Sequence, residues 1–241
     1  TQIVDGHTGI EHSLSVKRIY SDIEQLWRQT DVVYSPTFVV AYGGLMGEEY
    51  WYDTTEVWKN ERLMTFTPKS IVYPRSIRRP RAPEAHYNHF FVAEEAKQLN
   101  DLGVPVVIGA HGQLAGLGAH WEIWMMEQGG FSPFEALRGA TIDGARYFGM
   151  DAEIGSIEVG KLADLAIIVG NPLEDIRDSQ NVAYTMLNGR LYDASTMNQV
   201  VPAQTEREPF FFERPGGDAW VPATHARFDR QAHALGWRHD H

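Results

Sequence analysis

The chain has 241 residues, a formal charge of −11, 43% hydrophobic and 12% aromatic residues, and no cysteine. That length and composition fit one barrel-sized globular domain or two smaller ones and exclude a disordered segment; the acidic balance argues against a nucleic-acid partner, whose affinity rests on Lys and Arg neutralising phosphates. Without cysteine there is neither a disulfide framework nor thiolate chemistry, which leaves His, Asp and Glu as strong metal ligands, and no stretch reaches the roughly 18 apolar residues of a membrane span.

In chain order, Thr8 to Ser13 (TGIEHS) reads as a first strand. Ser15 to Gln29 reads as a helix, with Val16, Ile19, Tyr20, Ile23, Leu26 and Trp27 at helical spacing, and Val32 to Val40 as a second strand. Residues 43–83 then form a loop far longer than the usual two to six or so residues of a βα connection. Its aromatic residues suit either the wall of a substrate pocket or pins that hold the loop to the body. Within it Arg75 to Arg81, set among prolines, reads as a solvated turn rather than a binding patch.

Pro83 to Leu102 is a second helical pattern, stopped by Gly103, and Val104 to Ala110 is a third strand. Strands alternating with helices predict a parallel sheet. A closed (β/α)₈ barrel needs eight such units in roughly 250 residues, so three units predict an α/β fold that is only part of a barrel. Ser132 to Phe148 carries a full set of helix signals: Ser132 as cap, Pro133 in the first turn, Glu135 to complete a capping box, Gly149 as the left-handed stop. Leu162 to Val169 is an apolar strand, and Asn188-Gly189 marks a hairpin. The expected organisation is a partial barrel over residues 1–154, strands of a small β-sandwich over 155–198, and a tail over 199–241 whose aromatics pack on the body. Thr1 is neither a start methionine nor part of a charged leader, and the chain is expected to be an excerpt from a longer one.

Active sites of barrels lie at the C-terminal ends of the strands. His12 ends the first strand and His111 directly follows the third, so both imidazoles are candidates to face one mouth, where neutral imidazole is a good zinc ligand. A lone strand-end histidine is otherwise a hydrogen-bonding loop residue. His120 and Glu122 (GAHWE) stand where the chain enters a helix, either orienting substrate or water, or starting the helix on the barrel rim. His86 and His89, three apart, have a spacing compatible with a shared metal, the plainer reading being a solvated helix start. GAHGQLAGLG lacks the Lys and Ser/Thr of a phosphate-binding loop.

The string GSIEVGKLADLAIIVGNPLEDI resembles the return from barrel to β-sandwich in the metal-dependent amidohydrolase superfamily, and GHTGIEHSL, VVYSPTFVV and VPVVIGAHG resemble strands six, seven and eight of its prolidase-like and imidazolonepropionase-like members. GAHGQLAGLGAHWE is similar to members fused to a Tol-type β-propeller. The resemblance implies the C-terminal portion of a TIM-like (β/α)₈ metallo-hydrolase barrel followed by strands of a small β-sandwich. It further implies hydrolysis of an amide, peptide or cyclic amide C–N bond by metal-activated water, zinc or another divalent ion as cofactor, and a periplasmic or secreted location. By the same match His12 is a metal ligand; His111, in the position of the family's strand-eight Asp, is expected to be the catalytic base or a further ligand, and His120 and Glu122 are expected from their position to contact substrate or water.

Expected partners are a small-molecule or peptide substrate and the missing N-terminal half of the barrel, with a homo-oligomer admitted and neither nucleic acid nor membrane involved. The superfamily's strand eight ends in Gly-Thr-Asp, whereas here His111 takes the place of the Asp, and the metal-binding residues of strands one, four and five have no counterpart. The alternative is therefore a barrel that binds or scaffolds without chemistry.

Overall fold

The computed structural model describes residues 2–14, 18–112, 114–215 and 217. Two of the three expected strands are present but short, and the third, Val104 to Ala110, is reduced to an isolated bridge at Val106. Strand β1 (Gly9–Glu11) runs parallel to β2 (Val33–Ser35), pairing Ile10 with Tyr34, and Tyr34 pairs in parallel with Val106 on its other side. The Tyr34 N–H donates to the Pro105 carbonyl and the Val107 N–H to the Tyr34 carbonyl, both at 2.9 Å. Neighbours in sequence are thus neighbours in space, all pointing one way, as consecutive barrel strands do.

The second strand stops early because Pro36 cannot donate to a ladder and Thr37 takes a left-handed conformation (φ 54°). Phe38–Val40 consequently coils into a buried 3₁₀ turn instead of continuing the strand.

Helix α1 (Ser21–Trp27) is shorter than its sequence pattern; Ser15 to Lys17 lie outside the described residues. Residues 43–83 are not a loop. They hold three helices, α2 (Gly47–Thr54), α3 (Glu61–Phe66) and α4 (Lys69–Ile77). The missed signals were local: the Asn60 side chain caps α3 by accepting the Leu63 N–H at 2.9 Å. Pro74 inside α4 had disguised that helix as a break.

Helix α5 (His89–Asp101) buries Val92, Ala93, Ala96 and Leu99, one stripe at helical spacing, and ends where Gly103 (φ 92°) lets Val104 N–H reach back to the Leu99 carbonyl. It starts later than Pro83 because Glu84–His86 form a 3₁₀ turn and Leu45 then pairs with the connection, its N–H donating to the His86 carbonyl and its carbonyl accepting the Asn88 N–H. Helix α6 (Leu117–Gln128) is buried on nearly every side from Trp121 to Met126. It is the centre of the molecule, packed between α5, α2, the Phe38–Val40 turn and the Ile176–Gln180 turn.

The helix expected over Ser132 to Phe148 is two: α7 (Pro133–Gly139) and α8 (Ile142–Tyr147). Ser132 and Glu135 form the expected capping box. The break falls at Thr141 (φ −134°, ψ −101°), just after Gly139, whose missing Cβ lets the Val106 carbonyl approach to 2.7 Å of where that atom would sit.

Beyond them, β3 (Leu165–Ile168), β4 (Val182–Leu187), β5 (Arg190–Asp193) and β6 (Gln199–Val201) form one antiparallel sheet in that order. Asn188 (φ 47°) and Gly189 (φ 77°) make the β4–β5 turn with both residues left-handed, as the dipeptide demands. The sheet is tied to the body by Arg177, whose guanidinium lies 4.6 Å from the Trp51 ring centre and 4.5 Å from that of Trp124. In the tail, Arg207 pairs with Glu213 and covers Phe66 and Phe210; residues 218–241, including the terminal histidines, lie outside the described residues.

His86 and His89 do not share a metal position. His86 is exposed in a 3₁₀ turn, while His89 is fully buried against Tyr50 and Phe90 with Nε2 3.1 Å from Gln128 Oε1. Burial pushes the His89 imidazole down to about 4. Because its folded value lies below the ordinary value of about 6.5, the unfolded chain takes up the proton first, and stability complete above that pH is lost as pH falls towards 4. The loss should reach about 3 kcal/mol for this one group. Thermal melts across that window should show the decline, and His89→Phe should flatten it; an unchanged slope would assign the acid sensitivity elsewhere.

Candidate functional site

Three segments end together at the C-terminal edge of the parallel strands. His12 extends β1 by one rung, its N–H donating to the Ser35 carbonyl at 2.8 Å, and then turns left-handed (φ 67°). Beyond the third strand, Ala110 (φ 44°), His111 (φ 53°) and Gly112 (φ 75°) follow one another in the left-handed region, with the His111 and Gly112 amides bonding two residues back. Thr37 makes the same excursion after β2. Each such residue other than glycine costs about 1 to 3 kcal/mol, and clusters of them mark places where packing fixes an otherwise unfavourable backbone.

The result is a close pair of imidazoles. The His12 and His111 rings lie 5.2 Å apart, edge to face, and Tyr42 stacks on the other face of His12 at 5.8 Å. His12 Nδ1 is buried without a hydrogen-bond partner among the described residues, a costly state for a polar atom unless something else occupies its lone pair or proton. Two imidazoles on one tetrahedral zinc, each bound at about 2.0 to 2.1 Å, put their ring centres about 5 Å apart. The pair therefore fits two positions of a metal shell. Among the described residues no group of three His, Asp or Glu is placed to hold an ion.

The helices of residues 43–83 add what sequence reading missed. Glu48, at the start of α2, is 4% exposed, with Oε1 2.9 Å from Arg75 Nη1. Burial pushes its carboxyl up; the Arg75 guanidinium and, more weakly, His111 pull it back. Tyr52, one turn on, is pushed up to about 12 by burial and by the Glu48 charge. Arg75 is thus half-exposed and ion-paired with a buried carboxylate beside the histidine pair, not a solvated turn residue. An aromatic segment with weak periodicity gave no phase from which to read Glu48 inward.

His120 and Glu122 part company. His120 bonds Ser179 Oγ at 3.2 Å and lines a cleft of about 880 Å³ between α3, the start of α6 and strands β4 and β5, a cleft that none of His12, Tyr42, Glu48 or His111 lines. Burial and, secondarily, Arg62 push its imidazole down to about 4. Glu122 is corrected as a substrate contact: it is 0% exposed, Oε1 accepts the Val39 N–H at 2.7 Å and Oε2 the Gly109 N–H at 3.3 Å. Burial pushes its carboxyl up to about 7 against the pull of those amides.

Comparison with known proteins bears on the family and the fold. Residues 91–192 match the sequence model of the amidohydrolase family. The imidazolonepropionase of Sphingopyxis alaskensis is 45% identical over 65 residues, which is 27% of this chain and 15% of that protein. The 5'-deoxyadenosine deaminase of Methanobrevibacter smithii is 47% identical over 55 residues, 21% of this chain and 13% of the relative. Among solved structures, a Xaa-Pro dipeptidase with methionine bound in its active site aligns over 79% of this chain and 41% of its own, with a TM-score of 0.54 and 24% identity. Molinate hydrolase aligns over 86% and 43%, with a TM-score of 0.55 and 18% identity. The chain spans about two fifths of the length of these structures, and the likeness to them is one of fold: part of a TIM-like barrel with a small antiparallel sheet.

Proposed function

On the match of residues 91–192 to the amidohydrolase family, we propose that the chain belongs to that superfamily and carries part of an active site that hydrolyses an amide, peptide or cyclic amide C–N bond with metal-activated water. The observation that carries this reading is the His12–His111 pair, 5.2 Å apart at the ends of parallel strands with one ring nitrogen unpartnered. A bound divalent ion would supply polarisation of the scissile carbonyl and a water acidic enough to react near neutral pH.

The chain's own residues would do the rest. His12 and His111 would hold the ion, or His12 alone with His111 taking the proton of the attacking water, since imidazole accepts protons near neutral pH. Tyr42 fixes the plane of the His12 ring. Glu48 and Arg75 line the same region with one buried and one half-exposed charge, Arg75 being available to an anionic group of a small-molecule or peptide substrate. The remaining ligands and strands are proposed to come from outside this chain, and a periplasmic or secreted location and a propeller fusion belong to the same proposal.

The second reading, a barrel that binds or scaffolds without chemistry, is favoured by one observation: a histidine stands where the superfamily's strand eight carries its Asp. Metal analysis of the intact protein, joined to a panel of dipeptides and cyclic amides, separates the two. Stoichiometric divalent metal with turnover of a panel member is expected; a folded protein with neither overturns the hydrolase reading.

A further inference from the structure

Glu122 has a role that substrate contact does not describe. It is completely buried on a helix packed on nearly every side, so its side chain has no freedom to swing towards a ligand. Among the described residues, the groups that favour the charged form of its carboxyl are the backbone amides of Val39, Phe38 and Gly109. A buried carboxylate held only by main-chain amides stabilises a fold less than an apolar residue of its size would, so its value lies in what it holds in place.

What it holds are the two strand ends of the site. Val39 follows Thr37, and Gly109 precedes Ala110 and His111, the strained residues of the second and third segments. The two segments touch: a Cβ on Gly109 would lie 2.3 Å from Thr37 Oγ1. One carboxylate bridges them where they meet.

We propose that Glu122 is a positioning residue, whose carboxylate clamps the Val39 and Gly109 amides and so sets the backbone that presents His111 to His12. The clamp needs no substrate or metal, so it can be tested apart from the hydrolase reading, on which only the kinetic part of the test rests.

The test is Glu122→Met and Glu122→Gln in the intact protein, read by amide hydrogen exchange and by steady-state kinetics on whichever panel substrate the parent hydrolyses. In the Met variant the Val39 and Gly109 amides should exchange at least about tenfold faster while those of α5 keep the parental rate. Its kcat should fall about 10- to 100-fold with KM within about threefold, the pattern of a misplaced catalytic group. The Gln variant, whose carbonyl oxygen still accepts one of the two N–H bonds, should lie between parent and Met on both readouts.

Parental exchange at Val39 and Gly109 in the Met variant overturns the clamp, and a raised KM with parental kcat returns Glu122 to substrate contact. Should the Met variant not fold, the Gln variant decides: parental exchange and parental kcat overturn the proposal. Should the parent hydrolyse nothing, the exchange rates alone decide it.

Discussion

Replacing His111 with Asn should lower turnover by roughly 10² to 10⁴ while the protein stays folded and keeps metal, if the imidazole is the general base. The substitution is well suited to this backbone. At φ 53° Asn is among the few residues that accept a left-handed conformation readily, so a loss of activity would not reflect added strain. Loss of metal along with activity would instead make His111 a ligand. His111→Asp, which restores the superfamily's carboxylate, carries more information because of Glu48. A carboxylate at 111 would stand beside the desolvated Glu48 carboxyl and place two like acidic groups together, so His111→Asp is expected to retain less than about a tenth of parental activity. Adding Glu48→Gln should recover part of the loss. Parental turnover in both single variants of His111 would leave this residue without a catalytic role.

The second large effect concerns His12. His12→Ala should remove bound metal and hydrolysis together, because it deletes a buried ring nitrogen that lacks a hydrogen-bond partner among the described residues. Alanine would inherit the left-handed backbone (φ 67°) that His12 already holds while losing the side-chain packing around it, so His12→Asn, which tolerates that conformation, is the control for folding. Both variants should lose metal, measured by elemental analysis against protein concentration, with the Asn variant melting close to the parent. Full metal content and parental activity in His12→Asn would return His12 to a hydrogen-bonding loop residue that only stacks on Tyr42.

Much of this was open to a reader of the chain. The apolar runs at Gly9–Glu11, Val33–Ser35 and around Val106 are separated by helical patterns, and that order alone gives parallel neighbours in sequence order. Local chemistry marked the C-terminal end of α5 and the start of α7, since Gly103 and the Ser132–Glu135 box act through residues next to them. Asn188-Gly189 specified its own turn. His12 and His111 could be singled out because each stands at the end of a strand, and strand ends in such a sheet share one edge.

The errors have equally definite causes. Helices α2 to α4 were hidden because their aromatic and proline residues blur the helical period, and with them went Glu48, Tyr52 and Arg75. Glu122 was grouped with His120 as a substrate contact although residues two apart on a helix do not share a face. One lines a cleft beside the antiparallel sheet, the other points into the core.

The sequence by itself determined the order of elements, their handed turns and the two histidines at strand ends, because these depend on a residue's own backbone preferences and those of its near neighbours. Tertiary structure alone decided the 5.2 Å separation of the two rings, the burial of Glu48 beside them and the bridging of Val39 to Gly109 by Glu122. Each of those joins residues tens of positions apart, and α6, apolar on nearly every face, carries no stripe from which the inward direction of Glu122 could be read.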